Sequence, residues 1–262
     1  MYDMKMIPLF KSNYSIGKSI LTLDMPEENA DETKSDSILQ IAKDNKLEKL
    51  VLVEDSMTGF LEAHKACKSL EIQLIFGLRI NCCNDAKAED KEKSSHKIII
   101  FAKNDAGCKL LNKIYSKAFC ENNGFVDCNI LSEIWNEQNL SLAIPFYDSY
   151  IYQNSFSFNN CIPNFTFTKP TYFIERNNLP FEDVLKEKII AITQNTLLTK
   201  TIYYKYKKDV FAYQTYRCIT NRSFGKEQSL SSPNLNHFGS DEFCWESLTE
   251  HNFELEKLCK SY

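Results

Sequence analysis

The residues able to do chemistry fall just after short apolar runs. Lys11, Ser12 and Asn13 follow MIPLF, and Glu54, Asp55 and Ser56 follow KLVLV. Arg79 closes QLIFGLR, His96 opens HKIII, Tyr147 and Asp148 follow LSLAIPF, and Gln194, Asn195 and Thr196 follow KIIAIT. Hydrolytic metal chemistry would need several His, Asp or Glu side chains converging from such loops. The supply is thin. There are four histidines in all, and His64, His237 and His251 fall on or near expected helices. Ser12 has no visible His–Asp partner for nucleophilic catalysis. The ten cysteines include no CxxC pair, and the adjacent Cys82 and Cys83 read as small buried hydrophobes with no sign of an activated thiol. Only seven glycines occur, and neither GxGxxG nor GxxxxGK[ST] is present, so no phosphate-cradling loop is expected.

The elements that must hold these residues are strands and helices in alternation. KLVLV (49–53), IQLIFGLRI (72–80), HKIIIFA (96–102), LSLAIPF (140–146) and KIIAIT (188–193) read as buried strands. Between them run amphipathic segments: SILQIAKDN capped by Ser35, FLEAHKACKSL, a helix capped by Asn104, ILSEIWNEQ and FEDVLKE. A last helix is expected near EFCWESLTEHNFELEKLCKSY. DMPEENADETKSD reads as a solvated acidic loop, and DAKAEDKEKSSHK as an exposed loop or hairpin tip. The class is α/β, as a barrel or a doubly wound sheet, with chemistry at the C-terminal ends of the strands.

Composition sets limits. The chain has 262 residues, 43% hydrophobic and 25% charged, enough for one large domain with a full core. No apolar run is long enough to span a bilayer, and MYDMKMIPLF lacks a signal peptide's apolar stretch. A cytoplasmic protein with reduced thiols and no membrane partner is expected. A net charge of −4 gives no ground for nucleic-acid binding over the whole surface. A local site remains open at KTIYYKYKK, where Lys200, Lys205, Lys207 and Lys208 interleave with tyrosines that could stack bases. The plainer reading is a barrel connection in which tyrosines pack and lysines solubilise.

The order of the segments resembles the PHP (polymerase and histidinol phosphatase) domain, and within it the domain that opens the bacterial replicative DNA polymerase III alpha subunit. FKSNYSIGKSIL, KLVLVEDSMTGFLEAHKACKSLEIQLIFGLRI and HKIIIFAKNDAGCKLLNKIYSKAF carry the resemblance, with Ser12, Tyr14 and Ser15 as its "SxYS" element. The last segment, with its AKN..G turn, is the most specific. LSEIWNEQNLSLAIPF, IIAITQNTLL and KDVFAYQTYRCI extend the likeness over essentially the whole chain. It implies one domain over 1–262 with a distorted (β/α)7 barrel of PHP type.

In metal-competent members, histidines and carboxylates at strand ends bind the metals. By resemblance, the first-strand HxH falls here on Leu9 and Lys11, and the following Asp-His on Glu54 and Asp55. A glutamate position falls on Arg79, while His96 is retained. A cysteine-type position falls near Phe146, a DxH pair on Asn195 and Leu197, and a helix histidine on Tyr213. Leu9, Phe146 and Leu197 have no donor atom. Lys11 and Arg79 would repel a cation by about 4 kcal/mol at ~4 Å and an effective dielectric of ~20. The expectation is a vestigial site with no metal, no cofactor and no catalytic residue, filled by pairing Lys11 or Arg79 with Glu54 or Asp55.

The function expected by resemblance is structural and docking. The polymerase body of the alpha subunit and the proofreading exonuclease are the expected partners, and DNA is reached only through the holoenzyme. IPFYDSYIYQNSFSF and KTIYYKY are candidate docking stretches. The rival readings are an active metal-dependent phosphoesterase or 3′–5′ exonuclease of the same superfamily, and a free-standing nucleic-acid-binding module.

Overall fold

The computed structural model describes residues 6–13, 20–24, 36–220 and 240–248. In chain order it contains β1 (Ile7–Phe10), β2 (Leu21–Thr22), β3 (Asp36–Ser37), α1 (Ile38–Asp44), β4 (Lys49–Glu54), α2 (Phe60–Ser69) and β5 (Gln73–Cys83). There follow β6 (His96–Ala102), α3 (Asp105–Ser116), β7 (Phe125–Asp127), α4 (Cys128–Ile134), β8 (Leu140–Ile144) and α5 (Tyr150–Phe156). The series ends with β9 (Thr171–Ile174), α6 (Glu182–Ile192), β10 (Thr196–Ile202) and α7 (Val210–Thr220). The strands pair in the order β4-β1-β10-β9-β8-β6-β5, and β5 pairs back with β4, closing a seven-stranded barrel. All neighbours in the ring are parallel except β6, which runs antiparallel to β5 and β8. β7 adds outside the ring to the far end of β5. This is the distorted (β/α)7 architecture. The charged stretch at 84–95 is the hairpin between β5 and β6 and contains a short 3-10 turn, Lys91–Ser94.

Strand alternation divides the core in two. Ile7, Leu9, Val51, Val53, Ile75, Ile99, Phe101, Ala143 and Phe173 fill the barrel. Phe10, Leu50, Leu52, Leu78, Ile98, Ile100, Leu142 and Ile144 point the other way, into the layer beneath the helices. Gly77 leaves room inside for Phe101, whose ring would lie 2.7 Å from a Cβ placed there. The AKN..G turn has an equally local cause. Asn104 Oδ1 accepts the Gly107 N–H at 2.8 Å and caps α3, and a Cβ on Gly107 would meet the Asn139 carbonyl at 2.1 Å.

Three sequence expectations are corrected. KIIAIT is the second half of α6, and the strand is Thr196–Ile202. Leu185 and Ile189 are the buried stripe of that helix, while Ile190 and Ile192 face solvent, so its β-branched run imitates a strand. Ser37, not Ser35, caps α1, accepting the Gln40 N–H. The polar-aromatic stretch after β8 contains α5, capped by Ser149. Tyr14, Ser15, Ser35, His237, His251, most of the acidic 24–36 stretch and residues 249–262 of the expected last helix lie outside the described residues.

Candidate functional site

The same alternation selects the side chains at the barrel mouth. Lys11 follows Leu9 on the inward face of β1, Asp55 follows Val53 from β4, and Arg79 follows Gly77 on β5. On the antiparallel β6 the inward series is Lys97, Ile99, Phe101. Glu175 follows Phe173 beyond β9, and Thr201 and Tyr203 continue from β10. Lys11, Arg79, Glu175, Thr201 and Tyr203, together with Pro145, Tyr147 and Asp148, line a cavity of about 40 Å³, room for roughly three waters.

The charges in this ring are committed to one another. Asp55 accepts from Lys11 Nζ through one oxygen and from an Arg79 nitrogen at 3.1 Å through the other. The second terminal nitrogen of Arg79 bonds Asp148. The Asp148 carbonyl takes the Lys97 N–H at 2.7 Å, and its backbone sits in the left-handed region at φ 59°, a conformation that Asp tolerates. Burial raises the Asp55 carboxyl, but Arg79 and Lys11 override that and hold it well below the usual carboxylate range. Burial pulls Lys11 down against the pull of Asp55, and brings Lys97 down to about 8, with Arg79 adding to the effect. Arg79 is held above its ordinary value because Asp55 and Asp148 outweigh its burial. Glu175 is raised by burial and bonds Thr201 through both N–H (3.0 Å) and hydroxyl (2.7 Å).

Leu9, Lys11, Asp55 and Arg79 therefore meet at one mouth, and Tyr213 stacks behind it on Tyr203 at 5.1 Å between ring centroids. Other candidates lie elsewhere. Glu54 points away from the ring, where one oxygen takes both the Ser12 N–H (2.7 Å) and hydroxyl (2.6 Å), and burial pushes its carboxyl up to about 7. His96 is on the outward face of β6, against Tyr150 and Phe165, and burial lowers its imidazole to about 4. Phe146 is fully buried in the outer layer against Tyr147. Asn195 and Leu197 sit at the start of β10, at the opposite end of the barrel. Asn195 ties that end to the Pro170 carbonyl and Thr171, and Leu197 packs into the barrel interior. Their assignment to the mouth followed from placing the strand one element too early.

The lysine segment is also corrected. Lys200 is 2% exposed and bonds Asn177 Oδ1 at 3.1 Å, facing Glu242 at 3.6 Å. Burial lowers its ammonium, against the pull of Glu242. Lys207 pairs with Glu242 at 2.5 Å, and Tyr203 and Tyr204 are buried. Lys205 and Lys208 flank the Tyr206 ring at 5.0 and 5.2 Å, leaving a small basic surface. The aromatic stretch 144–158 is largely internal as well, although Phe158 is exposed. Sequence reasoning missed Lys97 and Glu175. Counting in twos along β6 from Phe101 and beyond β9 from Phe173 would have found both.

A divalent cation does not fit this donor set. Its ligands would be carboxylate oxygens that already bond Arg79 and Lys11, and two of its nearest neighbours would be cations. Among the described residues, no group of three or more His, Cys, Asp or Glu side chains is arranged to hold a metal. The interactions within the ring are ion pairs and hydrogen bonds.

Residues 31–150, a stretch that includes β3 to β8, match the family model of the PHP domain. β1, β9 and β10 lie outside the match and complete the barrel. A search of curated proteins found no match to the chain. No helix among the described residues is long and apolar enough to cross a membrane.

Proposed function

We propose that the chain is the PHP domain of a replicative DNA polymerase III alpha subunit whose metal site has been replaced by an ion-pair ring. On this reading it is a cytoplasmic structural and docking module in DNA replication, contacting the polymerase body and the proofreading exonuclease, and it hydrolyses nothing itself. The supporting observation is Arg79 bridging Asp55 and Asp148 while Lys11 holds the other oxygen of Asp55. Metal-assisted phosphoester hydrolysis needs a polarised phosphoryl oxygen and a metal-activated water. The mouth offers cations of its own in the place where those metals would have to sit. The polymerase assignment rests on the order of sequence segments, above all AKNDAGCKLLNKIYSKAF.

The test uses one preparation and two measurements. Phosphoesterase and 3′–5′ exonuclease turnover is followed with added manganese or zinc, and binding to the polymerase body and to a proofreading exonuclease is followed by calorimetry. The expected result is binding without metal-dependent turnover. Turnover that is lost in Asp55→Asn, with no binding to either protein, would restore the hydrolase reading.

A further inference from the structure

The C-terminal end of α5 carries an apolar side chain where a polar one or none is usual. The Ser157 and Asn159 N–H groups both bond the Gln153 carbonyl, at 3.0 and 3.2 Å. Between them Phe158 stands in the left-handed region at φ 55°, where glycine or asparagine ordinarily ends a helix. The other non-glycine residues in that region among the described ones, Lys46, Glu71, Asn123, Asp148 and Asn178, are all polar. Phe158 is also 92% exposed, the most of any large apolar side chain among the described residues. Its backbone costs the free chain stability, and its side chain recovers none by burial.

The loop that carries Phe158 is held from two sides. Toward α5, Asn154 Oδ1 accepts the Cys161 N–H at 2.8 Å and its Nδ2 donates to the Cys161 carbonyl at 2.9 Å. Toward the β5–β6 hairpin, Asn84 Oδ1 accepts the Ile162 N–H at 2.7 Å and its Nδ2 donates to the Asn160 carbonyl at 2.8 Å. The Asn160 N–H reaches the Lys93 carbonyl at 3.3 Å. Cys161 is buried, while Ile162 beside it is 68% exposed. Two apolar side chains are thus held outward on a backbone fixed by side-chain amides.

The hairpin to which this loop is tied has a sign. Its exposed charges are Asp85, Glu89, Asp90 and Glu92 against Lys87 and Lys93. Lys91 is turned inward, over the Phe125 ring at 5.1 Å and onto the Ala86 carbonyl at 3.2 Å. A surface complementary to this region is apolar where it meets Phe158 and Ile162, and basic where it meets the hairpin.

We infer that Phe158 and Ile162 anchor a protein interface whose partner offers an apolar pocket edged by lysine or arginine. The inference rests on the docking role proposed above and gives that role a place on the molecule. A loop already fixed in position loses little freedom on binding, and an aromatic anchor entering a pocket carries a large share of the affinity. The hairpin acids act chiefly on the rate of encounter, which salt screens.

The test measures binding of the full chain to the polymerase body and to the proofreading exonuclease by calorimetry at low and high salt, beside thermal unfolding. Phe158→Gly should weaken binding by about 30-fold or more. It should not lower the melting temperature, because glycine relieves the left-handed backbone. Phe158→Tyr keeps the ring and should bind within about threefold of the parent, and Ile162→Ser should lose about fivefold. Reversing Glu89 and Asp90 together, as Glu89→Lys with Asp90→Lys, should weaken binding more at low salt than at high. Binding by the parent that is unchanged in Phe158→Gly and Ile162→Ser would overturn the inference and leave the docking role standing. Absence of binding by the parent to either protein would overturn both.

Discussion

Two clusters of buried charge lie at the same end of the barrel and obey different rules. Around Asp55, the partners Lys11 and Arg79 point inward from β1 and β5, and the carboxylate they share reaches water, its side chain being 43% exposed. Around Asn177, Lys200 points outward from β10 and is sealed. Asn177 bonds Lys200, Glu175, Glu182 and Tyr147, and its carbonyl takes the Ser240 hydroxyl at 2.5 Å. The first cluster can exchange partners with solvent. The second fastens residues 240–248 to the barrel, helped by the Tyr203 N–H to Phe243 carbonyl bond at 2.9 Å and by Trp245 stacked on Phe10. Residue type does not separate the clusters, because both centre on lysines and carboxylates. The parity of the position on the strand does.

The largest effect should come from the sealed cluster. Lys200→Met leaves Asn177 Oδ1 and the Arg176 carbonyl without their donor in a dry site. Denaturant unfolding should show a loss of about 3 kcal/mol. A loss below about 1 kcal/mol would mean that water reaches Lys200 and that the contrast with the mouth is wrong.

The next effect is in pH dependence. The folded Glu54 carboxyl keeps its proton up to about pH 7, while the unfolded one has released it by about 4.5. Between those values the folded state binds more protons, so this group's contribution to stability falls as pH rises. Glu54→Gln keeps an acceptor for Ser12 and removes that fall. Its stability relative to the parent should climb by about 1–3 kcal/mol between pH 4.5 and 7. His96 acts in the other direction. The unfolded imidazole protonates near 6.5 and the folded one near 4, so stability is lost as pH falls through that window. His96→Phe should flatten that limb. Unchanged pH profiles in both variants would place Glu54 and His96 in water.

A smaller loss is expected at the mouth. Arg79→Ala unties Asp55 and Asp148, but Lys11 and solvent remain for Asp55, so unfolding should show about 1–2 kcal/mol. A loss as large as that of Lys200→Met would show that the two clusters are equally dry. The smallest effect belongs to Lys205→Ala with Lys208→Ala. This pair should change stability by less than about 0.5 kcal/mol, because both lysines lie at the surface around Tyr206.

Much of the barrel was legible because its strands are short, β-branched and separated by amphipathic helices. KLVLV and HKIIIFA became β4 and β6 almost as read, and LSLAIPF became β8 without its last two residues. KIIAIT failed because a helix with β-branched residues on its wet face has a strand's composition, and that one slip carried Asn195 and Leu197 to the wrong end of the barrel. At the site, Lys11, Asp55 and Arg79 were legible as opposite charges after successive strands. His96 was misplaced by one position of parity, since it packs on Tyr150 and Lys97 takes the inward place. Glu175 was hidden because its partner, Thr201, comes from a strand whose start was misjudged.

The central claim is that the mouth is filled by its own cations. Elemental analysis of the purified full chain, after incubation with manganese, zinc or iron and exhaustive dialysis, tests it most directly. The account predicts well under one metal equivalent per chain, unchanged in Asp55→Asn. Two or more equivalents per chain, lost in Asp55→Asn, would contradict it.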